Sequence, residues 1–178
     1  MKLLLFAVAT VLSFNIALSQ DLHLSSQKKE SSFGIGGGLP YGGFGVRFGT
    51  NVANSLNLFG GLGYQLAGVG YNIGLLKDFK SSSMAQFYLT GMYGTNAAIK
   101  VKGLEDEYND VYAGPSFGLG VKINSIQKEG NYWDLGILIP VRSGAFQDDY
   151  DKLKNDNRIT DLTDPWPVLF VIGYNFNL

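Results

Sequence analysis

Charged side chains are sparse in this chain, and their positions limit the chemistry open to them. Of 178 residues only 16% are Asp, Glu, Lys or Arg, against about 25% in ordinary soluble domains. Arg47, Lys122, Asp134 and Arg142 share alternating positions with glycine, serine and asparagine in their segments. Inside a closed sheet such groups either pair and lock the interior or form a charged constriction that selects ions. Beyond residue 32 the remaining charge gathers in the stretches 77–80, 100–110, 127–129 and 148–164. Glu105, Asp106 and Glu107 make one acidic loop. A second, 143–165, holds Asp148, Asp149, Asp151, Asp156, Asp161 and Asp164 against Lys152, Lys154 and Arg158. Glu105, Asp106, Phe146 and Tyr150 are the candidates for contact with an outside partner. Calcium is not expected in the second loop, since 151–157 lacks the glycine and terminal Glu of an EF-hand.

Other chemistries are narrowed by composition. Without cysteine there is no disulfide, thiol nucleophile or Cys-based zinc site. The single histidine, His23, lies in a polar, aperiodic stretch and reads as a solvated tail residue. A net charge of −1 and a pI near 5.7 leave no basic surface for nucleic acid. No metal or other cofactor is expected.

The elements that must carry these residues are strands. In 166–178 every even position is large and apolar or aromatic: Trp166, Val168, Phe170, Ile172, Tyr174, Phe176 and Leu178. A period of two over that length denotes a strand with one apolar face. The same alternation recurs upstream. Phe33, Ile35 and Leu39 form a first strand; Phe44, Val46 and Phe48 a second, after a turn at 40–43. Beyond a turn at 51–54, the segments 56–66 and 69–76 fit a hairpin closed by Ala67 and Gly68, which places Leu62 opposite Ile73 and Tyr64 opposite Tyr71. A fifth strand starts at Ala85 and a sixth spans 111–123, with a bulge expected at Pro115 because proline removes a ladder donor. Folding 111–123 against 133–141 about Lys128 sets Lys122 beside Asp134, Gly120 beside Gly136 and Phe117 beside Ile139. The count reaches eight strands, with no helix expected after the first nineteen residues.

Those first residues, 1–19, read as a signal peptide. Lys2 is the positive start, 3–12 the apolar core, and Ala17-Leu18-Ser19 the small-x-small cleavage site. No cysteine follows, so a lipid anchor is not expected. Residues 20–32 read as a flexible lead-in, and 33–178 as one barrel.

Alternation alone suits a soluble barrel as well as a membrane one. The face opposite the apolar one separates them. A water-facing exterior carries Lys, Glu and Thr, whereas here that parity is mostly Gly, Ser and Asn. Such residues suit the interior of an eight-stranded barrel, which side chains just fill. Phe33, Phe48, Trp133, Tyr174 and Phe176 would fall near one rim, and Tyr64, Tyr71, Tyr93 and Trp166 near the other, as in the aromatic girdles of membrane barrels. The expected fold is therefore all-β: an eight-stranded antiparallel up-and-down transmembrane β-barrel with short periplasmic turns.

With its leader, alternating strands and final Tyr174-x-Phe176-x-Leu178, the chain resembles the small outer-membrane β-barrels of Gram-negative bacteria, the OmpA/OmpX-type or "outer membrane protein beta-barrel" family. The resemblance covers about 33–178 and rests on patterns, with Tyr112-Ala-Gly-Pro-Ser-Phe-Gly-Leu-Gly120 typical of such barrels. The family's last residue is usually aromatic; here it is Leu178. The resemblance implies residence in the outer membrane, contact with its lipid, and recognition of the last strand by the barrel-assembly machinery. Enzymes among such barrels need a rim histidine beside Ser or a carboxylate, and no candidate rim loop here has one. The expectation is a non-enzymatic structural or surface-interaction protein, meeting lipopolysaccharide or another protein through its loops. A narrow pore for ions or small solutes is the first alternative; a soluble, exported, lipocalin-like binding barrel is the second.

Overall fold

The computed structural model describes residues 30–79, 81, 83–101, 110–159 and 162–178. The proposed signal peptide, His23, Glu105 and Asp106 lie outside the described residues. Eight antiparallel strands close on themselves in sequence order: β1 (Ser31–Gly38), β2 (Gly43–Ala53), β3 (Leu56–Gln65), β4 (Gly68–Asp78), β5 (Ala85–Ile99), β6 (Asp110–Asn124), β7 (Tyr132–Pro140) and β8 (Leu169–Asn177). The seam joins β1 to β8, where Phe33 faces Phe176 and Ile35 faces Tyr174. Both ends of the barrel chain therefore lie at one mouth, called here the terminal mouth.

Alternation decides which side chain goes where. The apolar parity points out: Phe44, Leu62, Tyr71, Ile73, Phe117 and Phe170 are all more than half exposed. The opposite parity points in and is buried, and it carries Arg47, Asn72, Thr90, Lys122, Asp134 and Asn175 with a few large apolar groups such as Phe59, Tyr88, Met92 and Leu138.

Register follows the sequence reading in some places and departs from it in others. Between β6 and β7, Lys122 pairs with Asp134, Gly120 with Gly136 and Phe117 with Ile139, as expected. The β3–β4 hairpin is shifted: Gln65 pairs with Gly68, Tyr64 with Val69 and Leu62 with Tyr71, so Leu66 and Ala67 form the loop. A shift of this kind keeps every side chain on its face. It also sets Gly63 opposite Gly70, and the backbone around Gly42 rests on both. The turn expected at 51–54 shrinks to Asn54 and Ser55, the latter left-handed at φ 60. β8 starts at Leu169, not Trp166, because Pro167 has no N–H to give the ladder.

Pro115 does not bulge. It pairs in register with Tyr93, and the irregularity lies in the neighbouring strand, between Thr95 and Ala97. Val141 N–H donates to the Pro115 carbonyl, but Pro115 cannot return a donor to Val141. The Asn96 amide, turned inward by the bulge, donates instead to the Val141 carbonyl at 2.9 Å. It reaches the Pro115 carbonyl at 3.1 Å as well. One side chain thus replaces the missing N–H.

Two elements were not expected. The β1–β2 connection is a 3-10 turn, Leu39–Tyr41, that folds into the lumen and buries all three residues. A helix, α1 (Gly144–Asn155), occupies the charged 143–165 segment. Ser143 caps it by accepting from the Phe146 N–H, and Lys152 and Lys154 suit the negative end of its dipole. Phe146, Tyr150 and Leu153 fall on one helical face and pack on Ile99 and Tyr112, where β5 and β6 extend beyond the other strands. That i, i+4, i+7 spacing was legible in the sequence.

Hydrogen bonds from Lys152, foremost, and from Tyr112 hold the Asp149 carboxyl below its ordinary value of 3.8. A carboxylate depressed in the folded state stabilises above its unfolded value, and the effect is lost as pH falls through the lowered one. The Tyr112–Asp149 anchor should therefore hold α1 above about pH 4 and weaken in stronger acid. Pepsin cleavage of the 143–165 segment measures this: wild type should be more protected than Asp149→Asn at about pH 5, and the two should converge towards about pH 2.

Candidate functional site

The inner polar residues converge on Asp134, which is wholly buried. Its Oδ2 accepts from Arg47 Nη1 at 2.6 Å and from Tyr41 Oη at 3.3 Å. Its Oδ1 accepts from Tyr88 Oη at 2.6 Å. Arg47 reaches further, donating through Nη2 to Asn175 Oδ1 at 2.9 Å and to Tyr132 Oη at 3.4 Å. Asn175 completes the ring by donating to Tyr41 Oη at 2.9 Å. The guanidinium lies 4.8 Å from the centre of the Tyr41 ring and 5.6 Å from that of Phe59. One carboxylate and one guanidinium thus tie together β2, β5, β7, β8 and the inward turn.

The reason is steric as much as electrostatic. A buried charge is tolerated only when paired and hydrogen-bonded, and alternation had already sent Arg47 and Asp134 inward. Both oxygens of Asp134 are engaged by protein donors, which leaves the pair a cross-link across the lumen.

Lys122 is Asp134's neighbour by register, yet its ammonium pairs elsewhere. It lies 2.8 Å from Asp78 Oδ2, which also accepts from Asn57 at 2.7 Å, and 5.0 Å from the centre of the Tyr132 ring. These groups floor a polar cup of about 390 Å³ at the terminal mouth, rimmed by Ser31, Asn51, Gln86 and Asn124. Arg142 is not a lumen group. It lies beyond the end of β7, donates to the Trp166 carbonyl and stands 5.5 Å from the Phe146 ring centre. Nor are Phe146 and Tyr150 presented to a partner: both are buried, stacked at 5.9 Å, with Tyr150 donating to Asp164. The helix face that holds them to the barrel consumes the surface they were expected to offer.

Tyr41, Tyr88 and Asn175 were missed by sequence reasoning. Tyr88 and Asn175 do sit on the inward parity. Tyr41 carries no such signal, because it belongs to a connection and not to a strand. Among the described residues no group of three or more His, Asp or Glu side chains is placed to hold a metal ion.

The fold and site define a closed eight-stranded antiparallel barrel with an ion-paired polar interior and an apolar exterior. No protein-family model, curated protein or solved structure matches the chain.

Proposed function

We propose that this protein is a non-enzymatic outer-membrane β-barrel of a Gram-negative bacterium, akin to the OmpA/OmpX-type barrels, with a structural or surface-interaction role. The observation that carries the reading is its inverted polarity. A lipocalin-like barrel in water keeps its apolar face inside, whereas here Phe44, Val69, Phe87 and Ile139 are each more than 60% exposed and Arg47 and Asp134 are buried. Lipid is the solvent that such an exterior fits, and closure leaves no strand edge unpaired in hydrocarbon. Aromatic groups accompany the terminal mouth, where Phe33 meets Phe48 at 4.9 Å and Trp133 meets Tyr174 at 5.1 Å. Tyr64, Tyr71 and Tyr93 stand exposed on the strands towards the other end. In this reading the terminal mouth is periplasmic, β8 is the strand offered to the assembly machinery, and the α1 side faces outward, towards lipopolysaccharide or another protein.

Electrophoretic mobility with and without boiling tests the proposal. Folded barrel extracted in detergent should migrate apart from boiled chain, and should sediment with the outer-membrane fraction. Recovery in the periplasmic extract without detergent, with one mobility, would favour the soluble barrel.

A further inference from the structure

The barrel wall has a bare side. Gly34, Gly36, Gly45, Gly61, Gly63 and Gly173 carry no side chain into the lumen, and all six meet Tyr41 within contact distance of where a Cβ would stand; Gly61 meets Pro40 more closely still. What fills this space is the inward turn. Leu39, Pro40 and Tyr41 supply the bulk that the strands β1, β2, β3 and β8 omit. The turn is covalently part of the wall only at its ends, where Gly38 at φ 115 and Gly42 at φ 68 occupy backbone regions that favour glycine. Its polar anchors are few: Asn72 donates to the Leu39 carbonyl at 2.8 Å, and Tyr41 Oη joins Asp134 and Asn175.

The turn also stands in line with the cup at the terminal mouth. Beneath Tyr41 lies Arg47, Arg47 touches Tyr132, and Tyr132 floors the cup that opens at the terminal mouth. Removing Tyr41 would empty the glycine-lined side of the lumen down to the Arg47–Asp134–Asn175 layer, with Phe59, Tyr88 and Leu138 left to fill the other side. We infer that residues 39–41 are a tethered plug, and that displacing it turns the closed barrel into a passage for water and small hydrophilic ions. The inference rests on the membrane reading above. It differs from a permanently open pore, because the resting barrel is shut.

The glycines provide variants that act on the plug and not on the wall. A methyl added at Gly61 would overlap the Pro40 carbonyl, and one at Gly173 the Tyr41 ring; no strand atom is among the nearest neighbours of either. Gly60, on the outer parity, has nothing nearer than 4.0 Å and serves as control. Wild type, G60A, G61A, G173A and Y41A would be refolded into vesicles holding a potassium gradient. Wild type and G60A should keep the gradient. At least one plug variant that shows the folded gel mobility should dissipate it. Folded plug variants that all hold the gradient would overturn the inference. So would failure of all three to fold beside a folded G60A, since the turn would then be a part of the core that cannot be separated from it. Failure of wild type itself to insert would fall on the membrane reading instead.

Discussion

Replacing Asp134 with alanine should cost about 3–5 kcal/mol of folding stability, the largest loss expected from a single side chain here. The reason is what it leaves behind. Arg47 is 3% exposed and has its 2.6 Å ion-pair partner in Asp134. Without the carboxylate its charge stays buried, with Asn175 and the Tyr132 hydroxyl as acceptors, and the hydroxyls of Tyr41 and Tyr88 lose an acceptor. Urea titration of the refolded barrel, followed by the change in gel mobility, measures the cost. The double variant Arg47→Met with Asp134→Leu removes both charges together and should be less destabilised than Asp134→Ala alone. If the single variant instead unfolded at the wild-type urea concentration, Asp134 would not be the centre of the lumen's cross-link.

The second large effect belongs to the exterior. Phe170 is 65% exposed on β8. It stands in a row with Ile137 of β7, Leu119 of β6 and Leu89 of β5. If that row lies in hydrocarbon, Phe170→Lys should cost about 2–4 kcal/mol in lipid vesicles, while Asn177→Lys at the terminal mouth should cost less than about 1 kcal/mol. The contrast matters more than either value. In a water-soluble barrel a lysine at an exposed site on a strand is nearly neutral or raises solubility, so equal small effects at Phe170 and Asn177 would argue against lipid. The two predictions are independent, since Asp134 probes what the barrel holds inside and Phe170 what surrounds it.

The two sites also show how far the sequence could be read. Alternation groups Phe170 with one apolar face, because the side-chain period of a strand is local, and the glycine, serine and asparagine on the opposite parity of all the strands turn that face outward. Register was legible where a short connection and matched faces left one solution. Lys122 beside Asp134 is such a case. The β3–β4 hairpin was not, since a shift of two in the sum of paired positions preserves both faces, and the choice depends on Gly63 and Gly70 meeting under Gly42. Pro115 was recognised as a difficulty, but its remedy lay on another strand, in Asn96.

By itself, then, the sequence determined the strand order, the outward and inward faces, and the burial of Arg47, Lys122 and Asp134. Period two and the small, polar residues on the parity opposite the apolar one were enough for that. Tertiary structure alone decided who pairs with whom. Arg47 meets Asp134 and Lys122 meets Asp78 because closure brings β2 across from β7, and β4 near β6, at heights set by the stagger of the whole barrel. It also decided that Phe146 and Tyr150 dock inward, since their helical face needs the extended ends of β5 and β6 to pack on. The plug is the clearest instance. A row of inward glycines reads the same whether the lumen is narrow, hydrated or occupied, and only the folded chain puts Tyr41 against them.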